Sequence, residues 1–142
     1  MYLLYNQFMS KYKSTNRHKF LLQYHLIFVC KYRKKLLLNK KISNDIKILS
    51  QEICCRHNII IKYIETDKDH IHYMIEIGPT LPISKIVNLI KSYTTYHIWK
   101  KYDRYLSKHL WKEKTFWTDG YFISTIGNVS EETLKEYIEN QG

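Results

Sequence analysis

Asn58-Ile59-Ile60-Ile61-Lys62-Tyr63-Ile64-Glu65-Thr66, then Asp67-Lys68-Asp69, then His70-Ile71-His72-Tyr73-Met74-Ile75-Glu76-Ile77: two runs rich in β-branched and aromatic residues flank three turn-forming ones. That is the pattern of a β-hairpin. Side chains alternate faces along a strand, so Ile71, Tyr73, Ile75 and Ile77 form the core side of the second strand. His70, His72, Met74 and Glu76 share the other, more open side. Two residues apart on a strand means a separation of about 7 Å, which lets two imidazoles converge on one metal ion. The plainer alternative is a pair of surface histidines on a half-exposed strand.

Working outward, Tyr24-His25-Leu26-Ile27-Phe28-Val29-Cys30 is a continuous apolar run and reads as a buried strand. Ile42, Ile46, Leu49 and Ile53 recur at helical spacing, which predicts a helix over 41–57 with Ser43 as a possible cap. After the hairpin, Gly78-Pro79-Thr80-Leu81-Pro82 breaks the chain. A long helix over 84–106 follows, with Ile86, Val87, Ile90, Tyr93, His97 and Ile98 on its buried side. A loop containing Trp111 and Trp117 leads to a strand over 121–126. A last helix begins at Glu131, with Ser130 to cap it and Glu131 and Glu132 at the positive end of its dipole. The order β-α-β-β-α-β-α predicts an α+β fold: a ferredoxin-like split βαβ antiparallel sheet with an additional C-terminal helix. Nucleic-acid-binding modules and DNA-nicking enzymes share that scaffold, so topology alone does not choose a function.

Composition narrows the choice. The chain has 142 residues, 44% of them hydrophobic and 25% charged, with four Gly and two Pro. It reads as one globular domain, 1–142, whose first fifteen residues form a loose arm. The net charge is +10, and residues 1–50 hold eleven of the 23 basic side chains against the single acid Asp45. The last fifteen residues are acidic instead. This asymmetry points to a polyanion, nucleic acid before membrane. Lys31, Arg33, Lys34 and Lys35, with Lys91 and Arg104 on the long helix, are the candidate DNA-binding residues. Cys30, Cys54 and Cys55 form no Cys-x-x-Cys pair, so they are expected to be free thiols in a reducing cytoplasm. No apolar run approaches a membrane span, and the N-terminus lacks the features of a signal peptide.

The last helix carries a second clue. Leu134, Tyr137, Ile138 and Gln141 form one stripe at i, i+3, i+4 and i+7. A buried amide costs about 1–3 kcal/mol without a partner, so Gln141 is out of place in an apolar stripe. A metal or a phosphate would satisfy it. A His pair, a tyrosine and one more polar ligand are the parts needed to attack a phosphodiester.

In order along the chain, these motifs resemble the single-tyrosine HUH transposases, the TnpA-type enzymes of small insertion sequences that move as single-stranded DNA. The resemblance runs from about Lys13 to Gln141. Its markers are Tyr24-His25-Leu26-Ile27-Phe28 leading to Lys31-Tyr32-Arg33, and Asp67-Lys68-Asp69-His70-Ile71-His72. Trp117, Tyr121-Phe122-Ile123-Ser124-Thr125-Ile126-Gly127 and Tyr137-Ile138-Glu139-Asn140-Gln141 complete them. The resemblance implies that His70 and His72 bind a divalent ion, Mg²⁺ or Mn²⁺, with Gln141 as third ligand. It implies Tyr137 as the nucleophile that forms a 5′-phosphotyrosine without ATP. It also implies recognition of DNA hairpins at the element's ends, and a homodimer whose tyrosine helix can complete the partner's site. The competing readings are a non-catalytic nucleic-acid module and an inactive regulator on the same scaffold.

Overall fold

The computed structural model describes residues 22–125 and 131–141. The expected N-terminal arm, Ile126-Gly127 and the Ser130 cap lie outside the described residues. Strand β1 (Leu22–Val29) leads through two short 3-10 turns, Lys31–Arg33 and Leu36–Leu38, to helix α1 (Lys40–Arg56). Strands β2 (Ile60–Asp67) and β3 (His70–Ile77), helix α2 (Ile83–His109), strand β4 (Phe122–Thr125) and helix α3 (Glu131–Glu139) complete the chain. The sheet order is β2-β3-β1-β4 with every neighbouring pair antiparallel. This is the expected split βαβ sheet with its additional C-terminal helix.

Alternation along the strands decides which face is core. Leu26 and Phe28 of β1 and Ile71, Tyr73 and Ile75 of β3 are fully buried in one cluster with Ile42 and Ile46 of α1 and Ile86, Ile90 and Ile98 of α2. Each such side chain removed from water contributes about 1.5–3 kcal/mol. The Tyr73 hydroxyl, inside this apolar layer, meets Ser50 Oγ of α1 at 2.8 Å. Burial pushes the Tyr73 phenol well above the ordinary tyrosine range.

Four expectations shift in detail. The turn of the hairpin is two residues, Lys68 and Asp69, because Asp67 still pairs with His70. Helix α1 begins three residues before Ser43 and is capped by Asn39, whose side chain accepts from the amides of Lys41 and Ile42. Ser43 is buried within α1 and meets Thr66 Oγ1 at 2.6 Å. On α2, Tyr93 and His97 are only half-buried and stack on each other at 4.4 Å. The buried position between them is Thr94, whose hydroxyl accepts from Trp117 Nε1 at 3.0 Å. Cys30 and Cys54 are buried free thiols with raised pKa values, chiefly from desolvation, whereas Cys55 is exposed.

The Ser50–Tyr73 pair makes a testable statement about the core. Ser50→Ala should destabilise the protein by about 1–3 kcal/mol in urea denaturation, because it strands a buried phenol. Adding Tyr73→Phe should recover most of that loss. Additive losses in the double variant would show that the hydrogen bond is not the source.

Candidate active site on the open face of the sheet

The face of the sheet opposite the apolar cluster carries His70, His72 and Met74 from β3. Beside them, by register, stand Val29, Ile27 and His25 of β1, and Asp67 and Glu65 of β2. Phe122 and Ser124 of β4 continue the same face next to Ile27 and His25. Both imidazoles of β3 are half-buried.

Each imidazole has a partner that fixes its ring. Asp69, in the hairpin turn, is only 4% exposed despite its charge. Its Oδ1 lies 2.9 Å from His70 Nδ1. A carboxylate can only accept there, so Nδ1 carries a hydrogen and Nε2 is the nitrogen turned away from Asp69. This carboxylate–imidazole arrangement is the one that orients metal-binding histidines. His72 Nε2 lies 2.7 Å from His25 Nδ1, and the two rings are 4.9 Å apart. Burial, first, and the neighbouring His25 lower the His72 pKa, against an opposing pull from Glu65. A depressed pKa keeps the ring neutral, the form that binds a metal. His25, which the sequence analysis does not single out as a site residue, joins His72 on this face. The signal for it is strand register, since it shares a face with His72 only once Ile27 is placed opposite that residue.

Helix α3 brings the tyrosine. Tyr137 packs against Phe122 of β4, with ring centroids 5.3 Å apart. Its hydroxyl is buried with no hydrogen-bond partner among the described residues. Gly120 lies alongside, and a methyl group there would sit 3.7 Å from the Tyr137 oxygen. Lys91 of α2 holds this loop by donating to the carbonyls of Thr118 at 2.7 Å and Gly120 at 2.6 Å. Burial pulls the Lys91 pKa down to about 8. Burial also raises the Tyr137 pKa above the ordinary 10.0, because a phenolate there would lose its water.

Gln141 is half-buried in the turn that closes α3, where its backbone N–H donates to the Ile138 carbonyl at 3.2 Å. It follows Tyr137 by one helical turn, as the stripe requires, although the Leu134 side chain of that stripe lies outside the description. No hydrogen bond joins Gln141 to either imidazole; those imidazoles bond instead to His25 and Asp69. Among the described residues no three His, Cys, Asp or Glu side chains form a metal cluster. The side-chain amide of Gln141 carries an oxygen of the kind that hard divalent ions accept.

The six candidate DNA contacts divide. Lys34, Lys35 and Arg104 are exposed. Lys31 lies 3.8 Å from Asp119. Lys91 is committed to loop carbonyls, as above. Arg33 reaches Asp69 Oδ2 from Nε at 3.5 Å and donates from Nη1 to the Glu139 carbonyl at 3.1 Å. Beyond the 118–120 loop, a 690 Å³ cleft is lined by Lys91, Tyr96, Trp99, Lys100, Lys114 and Trp117, among others.

Known proteins resemble this chain in sequence and in fold. The profile of the family described as "Transposase IS200 like" matches residues 18–141. The transposase for insertion sequence element IS200 of Salmonella typhimurium is 25% identical over 129 residues, covering 91% of this chain and 82% of the relative. The ISDra2 transposase TnpA of Deinococcus radiodurans is 25% identical over 129 residues, covering 91% of this chain and 90% of that protein. A crystal structure of a Deinococcus radiodurans R1 protein assigned as a transposase superposes with a TM-score of 0.78 at 23% identity, covering 86% and 92% of the two chains. A REP-associated tyrosine transposase bound to a REP hairpin shares the fold with a TM-score of 0.54 at 13% identity, covering 83% of this chain and 62% of that one.

The buried phenol is open to direct measurement. In the DNA-free protein, the phenolate absorbance present in wild type and missing from Tyr137→Phe should appear with a midpoint above pH 10, since burial favours the protonated form. A midpoint below that value would mean the fold activates the phenol before substrate arrives.

Proposed function

The chain belongs to the IS200-like transposase family, and we propose that it cuts and rejoins single-stranded DNA through Tyr137 on the open face of its sheet. The observation that carries this reading is the Tyr137 hydroxyl. It is buried, lacks a hydrogen-bond partner among the described residues, and sits over Phe122 on the face that also carries His70 and His72. A buried hydroxyl without a partner costs about 1–3 kcal/mol, a cost offset when a substrate oxygen meets it.

His70, His72 and Gln141 would hold a divalent ion, Mg²⁺ or Mn²⁺. Bound there, it supplies positive charge that polarises the phosphate and stabilises the charge added on attack. The protein's own residues do the rest. Asp69 keeps the His70 hydrogen on Nδ1, and His25 fixes the His72 ring. Phe122 and Gly120 confine the phenol to one approach. Tyr137 attacks phosphorus, forming the Tyr–O–P bond while the P–O3′ bond breaks. The phenol's proton ends on the departing 3′ oxygen. The product is a 5′-phosphotyrosine and a free 3′-OH. A 3′-OH attacking the same phosphorus reverses the step, so strands are exchanged without ATP.

Exposed Lys34, Lys35 and Arg104 follow the phosphate backbone in this reading, and the aromatic cleft beyond residues 118–120 offers faces for unpaired bases. Hairpin-ended single strands are the substrate we infer, and the REP-hairpin complex of the fold relative supports that choice. A homodimer is part of the same proposal. In that dimer the tyrosine helix can serve its own subunit or complete the partner's site.

Two variants separate chemistry from binding. Tyr137→Phe should reduce cleavage of a hairpin-ended single strand by at least about a thousandfold while hairpin affinity changes less than about threefold. His70→Ala with His72→Ala should remove the stimulation by Mn²⁺ together with the activity. Cleavage that survives Tyr137→Phe would sink the nucleophile assignment, and Mn²⁺-stimulated cutting by the His double variant would sink the metal site.

A further inference from the structure

Arg33 stands where a basic segment and a DNA-binding family both suggest a phosphate contact, yet its guanidinium is engaged by two acceptors of its own chain. It follows Tyr32 in a tight turn, and both residues have positive φ, 57° and 53°. Such backbone costs about 1–2 kcal/mol for each residue with a side chain. Surrounding bonds hold the strained turn in place. The Arg33 amide donates to the Cys30 carbonyl at 2.8 Å, Lys31 N to Phe116 O at 2.8 Å, and Leu37 N to Lys68 O at 3.1 Å. The result aims one side chain at two elements. Nε faces Asp69, whose other oxygen holds His70, and Nη1 caps the carbonyl of Glu139 at the C-terminal end of α3. A cation at that end also complements the helix dipole.

The geometry points to Arg33 as a positioning residue that couples the histidine hairpin to the tyrosine helix, through Asp69 on one side and the Glu139 carbonyl on the other. The inference rests on the transposase reading above and goes beyond it, because it assigns the registration of nucleophile against metal ligands to one guanidinium. Only a fork with separated N–H groups can serve both acceptors. A lysine offers one ammonium, which can neutralise Asp69 but cannot reach both acceptors in the same geometry.

The test uses the full chain without DNA, comparing wild type, Arg33→Ala and Arg33→Lys. Two readouts are taken: hydrogen exchange of the amides in 131–141, and Mn²⁺ affinity by titration. Arg33→Ala should speed exchange in α3 and weaken Mn²⁺ by about tenfold, the lower end of the usual loss when a ligand's supporting partner is removed. Arg33→Lys should restore most of the Mn²⁺ affinity and leave α3 exchanging fast, a split that general destabilisation would not produce. It also carries the test if Arg33→Ala fails to fold. The inference is overturned if the Arg33 variants keep wild-type exchange and Mn²⁺ affinity and merely lower the salt dependence of DNA binding, since Arg33 would then be a phosphate contact. Absence of Mn²⁺ binding in wild type would refute the metal reading instead, while fast α3 exchange in both variants would still uphold the clamp.

Discussion

A carboxylate buried in a two-residue turn is the constraint on which the site depends. Asp69 is almost sealed from water, and an unpaired charge there would cost several kcal/mol. It is tolerable because Arg33 and His70 both reach the carboxylate; the turn itself is held by the Asp69 backbone carbonyl, which accepts from Cys30 N at 2.8 Å. Those partners come from the end of β1, the strained turn after it and the start of β3. Satisfying one carboxylate therefore joins the centre of the sheet to the hairpin and, through the second arm of Arg33, to α3.

The chemistry follows from how the sheet's two faces are used. One is closed by α1 and α2 over an apolar layer and provides rigidity. The other keeps its histidines at half-burial, open to solvent yet dry enough to lower the His72 pKa. Tyr137 sits at the border of that face, buried and protonated. Burial favours the protonated phenol, so the free protein does not present a phenolate to solvent. A transposase has reason to keep such a group quiet until a strand is bound.

Much of this was legible in the sequence because strand parity is local. The alternation in His70–Ile77 separates the core face from the histidine face with no knowledge of neighbours, and helical spacing assigns Ile42, Ile46 and Ile53 in the same way. Strand order followed from element order. What was not legible depended on long-range pairing. His25 joins His72 through a register between residues 47 apart in sequence. Thr94 is buried because Trp117 needs an acceptor there, which helical periodicity cannot reveal. Arg33 and Lys91 looked like surface charge because composition cannot tell a cation that faces DNA from one that binds a loop carbonyl. Asn39 outranked Ser43 as a cap because the preceding 3-10 turn, invisible to periodicity, starts the helix early.

The central claim is that Tyr137 forms a covalent bond to DNA while the histidine face activates the phosphate. Its most direct test is mass spectrometry of the peptide containing Tyr137 after incubating the protein and Mn²⁺ with hairpin-ended single strands from the DNA flanking its gene. The account predicts a nucleotide adduct on Tyr137 linked through a 5′ phosphate, with a free 3′-OH on the released strand. An adduct on another residue, or strand cleavage leaving Tyr137 unmodified throughout the reaction, would contradict it.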